Sequence, residues 1–526
     1  MQDEASKPQT ATLTIKPALH QRAFSTIRRT EVWISLILVL LAIIGGLTYF
    51  FTVKYLSAIP KKPIALVRYV QTEKKLDQIW PAVDGSDVTM DTNRQIFESL
   101  VRYQGENHLE PLLATSWTHT SDTEWTFHIK QGVKFHNGHS LTNTIVRDSL
   151  LAITNNPAFD RYTSTIVNID APPASDRVVI ATSTADPTLP NKLAYLLIYD
   201  TNGSKQNDAS NGTGPYQIKP NTTPTNSSIK LTAIDNYHSK YQWVREVDIT
   251  ASDTAATISY EKNHADIGRI GYNDKVDGRS YSLLQATSII NWVLLPNARH
   301  SGSPLASAAA RQAVAMALDP ADIIKSAGLA ASVATQLLPP SIPGYLQTIT
   351  PPAGNHKRIT DILSSVGLTD TLKLRLAYSA TQSDIAVLIK SQLNDAGFDV
   401  TLVPAEGDVA LAIAQASGAA DLYLVPVASQ YMDGADVFKS VLHSNLFADA
   451  TIDQLIAALS STFDPSSRVN LLQQIETFAA YDEAVIPLYS PASSLFVIDP
   501  TYVARKDVPG SCLGIYFDTV YAQRSN

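Results

Sequence analysis

Apolar residues form one long uninterrupted run near the start of the chain. Residues Val32–Val53 contain no charged side chain, and about 20 apolar residues are enough for a helix to cross the hydrocarbon core of a bilayer. No later stretch of the chain is as long and as apolar. The pattern predicts a polar cytoplasmic tail over 1–31, a transmembrane helix over 32–53, a linker over 54–63 and one large body after it.

The flanks of this run say little about its orientation. Lys and Arg are nearly balanced on its two sides, so the positive-inside rule does not choose between them. A cleaved signal peptide is the competing interpretation, but the apolar region of such a peptide is only about 7–15 residues long. We expect an uncleaved, single-pass anchor that leaves the body outside the cytoplasm, either in a periplasm or on the outer cell face.

The body begins with a mixture of strand and helix patterns. Ile64–Val70 is a short apolar run that predicts a first strand. The segment Asn93–Tyr103 has its apolar residues at helical spacing, which predicts a helix. Residues Glu124–Gly138 alternate between apolar and polar positions on both sides of Gln131-Gly132, and this pattern predicts a β-hairpin.

The second half of the body has a clearer pattern. Leu372–Ala377 predicts a strand, Ser383–Asp395 a helix that ends before Gly397, and Phe398–Val403 a second strand. Strand, helix and strand in this order indicate a βαβ unit and therefore a parallel or mixed sheet. Helical stretches at 451–462 and 466–481 follow.

Composition limits the function classes. The body is too long for one ordinary core, so two or three lobes are expected. The formal net charge is −8, and no long basic run follows the apolar segment, which argues against nucleic-acid binding. Cys512 is the only cysteine, so an intrachain disulfide and a lipid-modified cysteine next to the apolar run are both excluded.

A search for catalytic patterns finds no complete set. Gly510-Ser511-Cys512-Leu513-Gly514 has the form of a nucleophile elbow, but the last histidine, His443, precedes it in the chain. His128, His136 and His139 lie around a predicted turn, where exposed turn histidines are a better interpretation than a metal site. We therefore expect no catalytic residue, no metal and no cofactor. A membrane-anchored hydrolase is the remote alternative.

Several motifs occur in the order found in one known family. They are Ile96–Tyr103 (IFESLVRY), Glu110–Trp117 (EPLLATSW), Trp125–Gly138 (WTFHIKQGVKFHNG), Gly212–Tyr216 (GTGPY), Arg311–Asp319 (RQAVAMALD) and Ala484–Tyr489 (AVIPLY). Their order and spacing resemble the family 5 solute-binding proteins of ABC transporters, the class that binds dipeptides, oligopeptides and nickel. The resemblance extends from about Leu76 to Tyr489, which is nearly the whole body.

The resemblance implies an α/β fold of the periplasmic-binding-protein type II, with two lobes and a smaller extra domain. Lobe I would comprise 64–87, 196–296 and 485–526, the extra domain 88–195, and lobe II 297–484. The family's members capture a solute by hinge closure and deliver it to an ABC permease. We accordingly expect a monomer whose partners are the solute, the permease subunits and the membrane.

The resemblance also implies a ligand-binding site. Asp433 matches the position at which peptide-binding members hold the ammonium group of the ligand, by a charge-assisted hydrogen bond. Tyr431, Trp80 and Trp117 are further candidates for ligand contacts. The chain departs from the family's motif at Val427-Ala428 and at Val437, so a nickel chelate, a sugar and a sensor or scaffold role stay open beside oligopeptide capture.

Overall fold

The computed structural model describes residues 64–71, 76–77, 79–81, 87–104, 108–202, 211–238, 244–251, 266–270, 282–285, 288–299, 302–350, 352, 356–444, 446–447, 449–491, 495–498, 502–504 and 516–522. The predicted tail, transmembrane helix and linker over 1–63 lie outside these residues, as does Cys512. Within the described ranges, no helix is both long enough and apolar enough to cross a bilayer.

Strands contribute most of the first half of the body and helices most of the second. The first strands are β1 (Ile64–Gln71), β2 (Val101–Gln104), β3 (His108–Pro111), β4 (Ala114–Ser121), β5 (Glu124–Ile129), β6 (Ile166–Asp170), β7 (Arg177–Thr182), β8 (Tyr216–Ile218), β9 (Ser228–Ala233), β10 (Val244–Ala251), β11 (Ile267–Ile270), β12 (Ser282–Gln285) and β13 (Ile290–Pro296). The later strands are β14 (Ala331–Val333), β15 (Lys373–Ser379), β16 (Asp399–Ala405), β17 (Leu422–Ala428), β18 (Ile486–Pro491), β19 (Leu495–Ile498), β20 (Tyr502–Ala504) and β21 (Val520–Ala522).

The described helices are α1 (Asp87–Ile96), α2 (Asn143–Thr154), α3 (Asp160–Thr163), α4 (Leu189–Leu193), α5 (Ala308–Met316), α6 (Pro320–Ser326), α7 (His356–Ser365), α8 (Ser383–Asp395), α9 (Asp408–Ser417), α10 (Ala435–Val441), α11 (Ala450–Leu459) and α12 (Pro465–Tyr481). Single 3₁₀ turns lie at Pro157–Phe159, Pro304–Ala306, Ala380–Gln382 and Phe517–Thr519.

Two mixed sheets form the centres of the two lobes. The first has the strand order β12-β19-β11-β1-β10-β9-β8, and the second has the order β14-β18-β13-β17-β15-β16. In the first sheet, β1 lies parallel to both β10 and β11. The α/β two-lobed fold expected from the sequence is therefore present.

The predicted βαβ unit is confirmed at one edge of the second sheet. Strands β15 and β16 pair in parallel from Lys373 to Ser379, and α8 connects them. The connection needs a backbone reversal after the helix, and Gly397 supplies it with a φ of +100°, a conformation that is costly for any residue with a Cβ.

A four-stranded antiparallel sheet, β4-β5-β7-β6, lies within the predicted extra domain. The predicted hairpin over 124–138 is wrong in its pairing, because β5 pairs with β4 and β7 instead of with the segment after Gly132. That segment folds on itself: Leu141 donates its N–H to the carbonyl of Val133, and Phe135 donates to His139. Local alternation identified the strand but not its partners.

The helix predicted over Asn93–Tyr103 ends at Ile96, and its last residues belong to β2. The GTGPY loop is the physical reason. Gly214 donates its N–H to the Ile96 carbonyl over 2.8 Å. A Cβ added to Gly212 would lie 1.6 Å from that same oxygen, so only glycine allows the loop to pack against the end of the helix.

The sheets also place the boundary of lobe II differently from the predicted 297–484. Strands β13 and β18 both belong to the six-stranded sheet, where they pair with each other. The predicted domain bounds stay a prediction, and a lobe II that includes both strands would extend from about Ile290 to about Pro491. The apolar segment Ile290–Pro296 fits either sheet by its pattern, and only its pairing with β17 decides the assignment.

Candidate functional site

A short loop between β17 and α10 contains the predicted ligand residues. Met432 has a φ of +54° and Gly434 a φ of +88°, so the loop turns sharply at both positions. The Ser429 hydroxyl accepts the N–H of Gly434 and donates to the Asp436 carboxylate over 3.2 Å. Positive φ at a non-glycine residue persists only where the surroundings enforce it, and Met432 is fully buried.

Asp433 forms a buried ion pair with Arg468. The guanidinium Nε donates to Oδ2 of Asp433 over 3.2 Å, and Nη2 donates to Oδ1. The side chains of Arg468 and Asp433 are only 8% and 11% exposed. Two parallel hydrogen bonds to one carboxylate make a bidentate pair, which is the strongest form of this interaction. The position expected for a ligand ammonium therefore faces a cation of the protein itself.

Arg468 makes two further hydrogen bonds. Its Nη1 donates to the carbonyls of Leu459 and Thr462, over 2.7 and 3.0 Å. These carbonyls lie at the end of α11 and in the connection to α12. Arg468 thus fastens the loop before α10 to the α11–α12 corner.

Asp436 is a second acidic group of the same loop. The Gln430 N–H donates to its Oδ2 over 2.5 Å. Burial raises the pKa of Asp436 to about 6, although hydrogen bonds from the main chain of Gln430 and Val437 act in the opposite direction. The Asp436 carboxylate therefore accepts its hydrogen bonds from residues of the same loop.

Tyr431 lies where the loop meets residues of the first half of the chain. Its carbonyl accepts a hydrogen bond from the Tyr103 hydroxyl over 2.8 Å, and that hydroxyl in turn accepts one from Asn191 over 2.9 Å. Burial raises the pKa of the Tyr431 hydroxyl, and the charges of Asp436 and Asp433 add to this effect. We name this set of contacts, between residues 103–192 of the predicted extra domain and residues 431–468 of the second lobe, the interlobe contact.

The interlobe contact includes a second buried ion pair. Lys192 donates to Asp186 over 2.6 Å, and its ammonium lies 5.2 Å from the centre of the Tyr431 ring. Burial opposes ionisation of Asp186, but the charge and hydrogen bond of Lys192 outweigh it and lower the pKa of Asp186. Thr165 and Thr188 also donate to this carboxylate, over 2.6 and 2.7 Å.

Lys439, on α10, is an exposed cation near these pairs. Partial desolvation lowers its pKa, the charges of Lys192 and Arg468 act in the same direction, and those of Asp186 and Asp433 act in the opposite direction. Among the described residues, Lys439 makes no ion pair.

Aromatic side chains complete the interlobe contact. Phe463, between α11 and α12, stacks on the His119 ring with centroids 4.3 Å apart and lies 5.7 Å from Trp125. Trp125 is fixed in turn, since its indole N–H donates to the carbonyl of Asp186 over 3.0 Å. The aromatic contact and the Lys192–Asp186 pair therefore adjoin.

Of the two predicted tryptophans, Trp80 belongs to a hydrophobic core cluster and Trp117 packs against it. Trp80 is buried and lies 4.6 Å from the Tyr199 ring, and its carbonyl accepts from Asn93. Trp117 is half-buried on β4 opposite Phe127. Both side chains contribute to the packing of the first half of the chain in this conformation.

The three histidines of the 124–139 region have separate partners. His128 pairs with Asp176, His139 with Asp200, and His136 with the carbonyl of Gly214 over 2.9 Å. In the described part of the chain, no group of three or more His, Cys, Asp or Glu side chains is arranged to hold a metal ion. His136 instead connects the motif Trp125–Gly138 to the GTGPY loop, because its main-chain N–H also donates to the Gly212 carbonyl.

Sequence reasoning missed Arg468, Lys192 and Phe463. Arg468 follows an ordinary helix start, Asp464-Pro465, and nothing local distinguishes it from a surface arginine. Lys192 contacts the Tyr431 ring and Phe463 stacks on His119, and each of these two contacts joins residues more than 200 positions apart. Their roles follow only from the tertiary arrangement.

The two-lobed α/β fold matches what the motif resemblance implies. Residues 108–448 match the profile described as bacterial extracellular solute-binding proteins, family 5 Middle. The chain belongs to this family. Its members serve ABC importers, and their solutes range from peptides to nickel chelates.

Curated relatives of this family 5 protein match it over shorter regions. The nickel-binding protein NikA of Staphylococcus aureus is 34% identical over 125 residues, which is 23% of this chain and 25% of NikA. The HTH-type transcriptional regulator SgrR of Salmonella typhimurium is 33% identical over 162 residues, 30% of this chain and 28% of SgrR. The chain thus spans about a quarter of the length of these two relatives.

Solved structures show the same fold over most of the family 5 chain. The nickel ABC transporter protein of Bacillus halodurans superposes with a TM-score of 0.74 at 19% identity, covering 87% of this chain and all of that one. The murein tripeptide binding protein MppA, in an unliganded open form, gives a TM-score of 0.75 at 18% identity, covering 89% of this chain and 98% of MppA.

Proposed function

We propose that this chain is the solute-capturing component of an ABC importer and that it holds a peptide-like solute between its two lobes. The observation that carries the proposal is the interlobe contact. Tyr431 and Phe463 from the second lobe meet Tyr103 and His119 of the predicted extra domain there, so polar and aromatic groups from both halves of the chain converge on one region. Such a region suits a solute that is bound by main-chain hydrogen bonds and tolerant side-chain contacts.

The same region is suited to binding a solute without catalysing a reaction. The acidic groups there are engaged by Arg468, Lys192 and main-chain donors, and a carboxylate that is held in this way is a poor general base. We propose that the chain is a receptor and not an enzyme, acts as a monomer and passes its solute to permease subunits.

We further propose that Val32–Val53 anchors the body to the membrane, with the body outside the cytoplasm. The apolar length of the run supports this, and a tether raises the local concentration of the receptor at the permease. Carbonate extraction of membranes tests it: the full chain should stay in the pellet, and a variant that begins at residue 54 should be released. Release of both would overturn the anchor.

Native mass spectrometry of the full chain, purified in mild detergent, tests solute capture. A slowly dissociating solute survives purification, so we expect adduct masses that match short peptides or peptide-like compounds. One discrete non-peptide adduct would replace the peptide assignment with a dedicated small-molecule receptor. A chain that carries no adduct and ignores a peptide library would overturn the capture proposal.

A further inference from the structure

We propose that Arg468 sets the ligand class of this site: it neutralises Asp433 from within the protein, so the site takes solutes that present a carboxylate and no free ammonium. The inference rests on the proposed function, because it names which solutes the interlobe region accepts. N-acylated peptides are the simplest compounds of this class.

Four hydrogen bonds hold the Arg468 guanidinium in place beside Asp433. Its guanidinium binds both oxygens of Asp433 and the carbonyls of Leu459 and Thr462. These acceptors come from two separate segments of the second lobe. Moving the guanidinium aside for a ligand would leave the acceptors without donors in a buried place, which is unfavourable for each of them.

The charge at Asp433 is consequently cancelled. An ammonium that approaches the carboxylate loses its water and meets a neutral pair instead of an isolated negative charge. The nearest other carboxylates are also engaged, Asp186 by Lys192 and two threonines and Asp436 by its own loop. Each of these three carboxylates is therefore already hydrogen-bonded within the protein.

Lys439 favours a ligand that carries a carboxylate. It is exposed, its charge interacts with those of Lys192, Asp186, Arg468 and Asp433, and in the described part of the chain it forms no ion pair. A ligand carboxylate would supply that partner. The two features select in the same direction, since one removes the attraction for ammonium and the other adds attraction for carboxylate.

Isothermal titration calorimetry of the full chain in detergent tests the inference with trialanine and N-acetyl-trialanine. We expect the wild type to bind the acetylated peptide at least tenfold more tightly. Arg468→Gln should reverse this preference, because it exposes the charge of Asp433 to the ligand. The double variant Asp433→Asn/Arg468→Gln should bind both peptides with similar affinity.

A matched pair of lysine variants tests the carboxylate contact. Lys439→Gln should weaken N-acetyl-trialanine binding about tenfold, whereas Lys357→Gln, at an exposed position on α7, should leave it unchanged. Equal losses in both variants would overturn the role of Lys439.

The outcomes separate the two proposals. Tighter binding of trialanine by the wild type, or an ammonium-bearing solute found by native mass spectrometry, overturns the inference and leaves solute capture intact. A carboxylate-bearing solute without an ammonium supports both. Absence of every solute and of binding to either peptide overturns both. The wild-type comparison needs no variant, so it decides the matter even where Arg468→Gln does not fold.

Discussion

Arg468 and Asp433 are 35 residues apart in sequence and form a bidentate ion pair that joins α12 to the loop before α10. Removing one partner of a buried pair leaves an uncompensated charge. We predict that Arg468→Met lowers the free energy of unfolding by about 3–5 kcal/mol, measured by urea denaturation of the full chain in detergent.

An exposed pair of the same type is the control for this prediction. Arg245 lies 3.5 Å from Asp235, and both side chains are largely exposed. Arg245→Met should change the unfolding free energy by less than about 1 kcal/mol. Similar losses in Arg468→Met and Arg245→Met would show that burial of the first pair does not matter.

Gly212 should tolerate no side chain. Its missing Cβ would fall 1.6 Å from the Ile96 carbonyl oxygen, so Gly212→Ala requires movement of the main chain at the end of α1. We predict a loss well above that of Gly138→Ala, where φ is +88° and no atom lies within 4 Å of the added Cβ, and where the cost is only about 1–2 kcal/mol of backbone strain. Thermal melts of both variants measure the difference, and equal melting temperatures would contradict it.

Glu476 makes the stability depend on pH. This residue of α12 is fully buried and accepts the N–H groups of Leu337 and Leu338, and burial raises its pKa to about 8 from an ordinary value of about 4.5. Between these two values the unfolded chain has lost the proton and the folded chain keeps it. Stability from this group therefore falls as pH rises from about 4.5 to about 8, by about 1.4 kcal/mol per pH unit.

Urea denaturation at several pH values between 5 and 8 measures this effect. Glu476→Gln cannot ionise, so its stability should fall less over the range than that of the wild type. Glu406→Gln, at an exposed position, should keep the wild-type profile. A Glu476→Gln profile parallel to the wild type would refute the assignment.

Phe463 and His119 should be energetically coupled. Their rings stack at 4.3 Å, and aromatic pairs contribute about 0.5–1.5 kcal/mol beyond the burial of their surface. A double-mutant cycle with Phe463→Ala and His119→Ala should give a coupling energy in this range. The cycle of Phe463→Ala with His356→Ala, on α7, should give a value near zero.

The sequence predicted local structure well and long-range pairing poorly. The βαβ unit at β15–α8–β16 was predicted because it is continuous in sequence and each part has a strong periodic pattern. The hairpin at 124–138 was mispredicted because the partners of β5, namely β4 and β7, are selected by the sheet as a whole. The helix over Asn93–Tyr103 was predicted too long because the GTGPY loop, more than 100 residues later, ends it.

The candidate site was likewise predicted in its local part and not in its long-range contacts. The resemblance to family 5 placed Asp433 and Tyr431 in one loop, and the structure shows that this loop lies at the interlobe contact. It did not reveal that Arg468 pairs with Asp433, since an arginine after a helix start has no local signal for a buried partner. Whether Asp433, Tyr431, Trp80 or Trp117 touches a ligand remains a prediction that the binding experiments test.

The chain passes between the two lobes twice, and in each sheet the strands next to these two connections pair with each other. It leaves the first sheet from β12 and returns by β19, and these two strands pair with each other. It enters the second sheet as β13 and leaves as β18, which also pair. In topological terms, the second lobe is a long insertion within a single hairpin of the first. Its two ends therefore emerge side by side, as they would in a domain that was added to an existing fold.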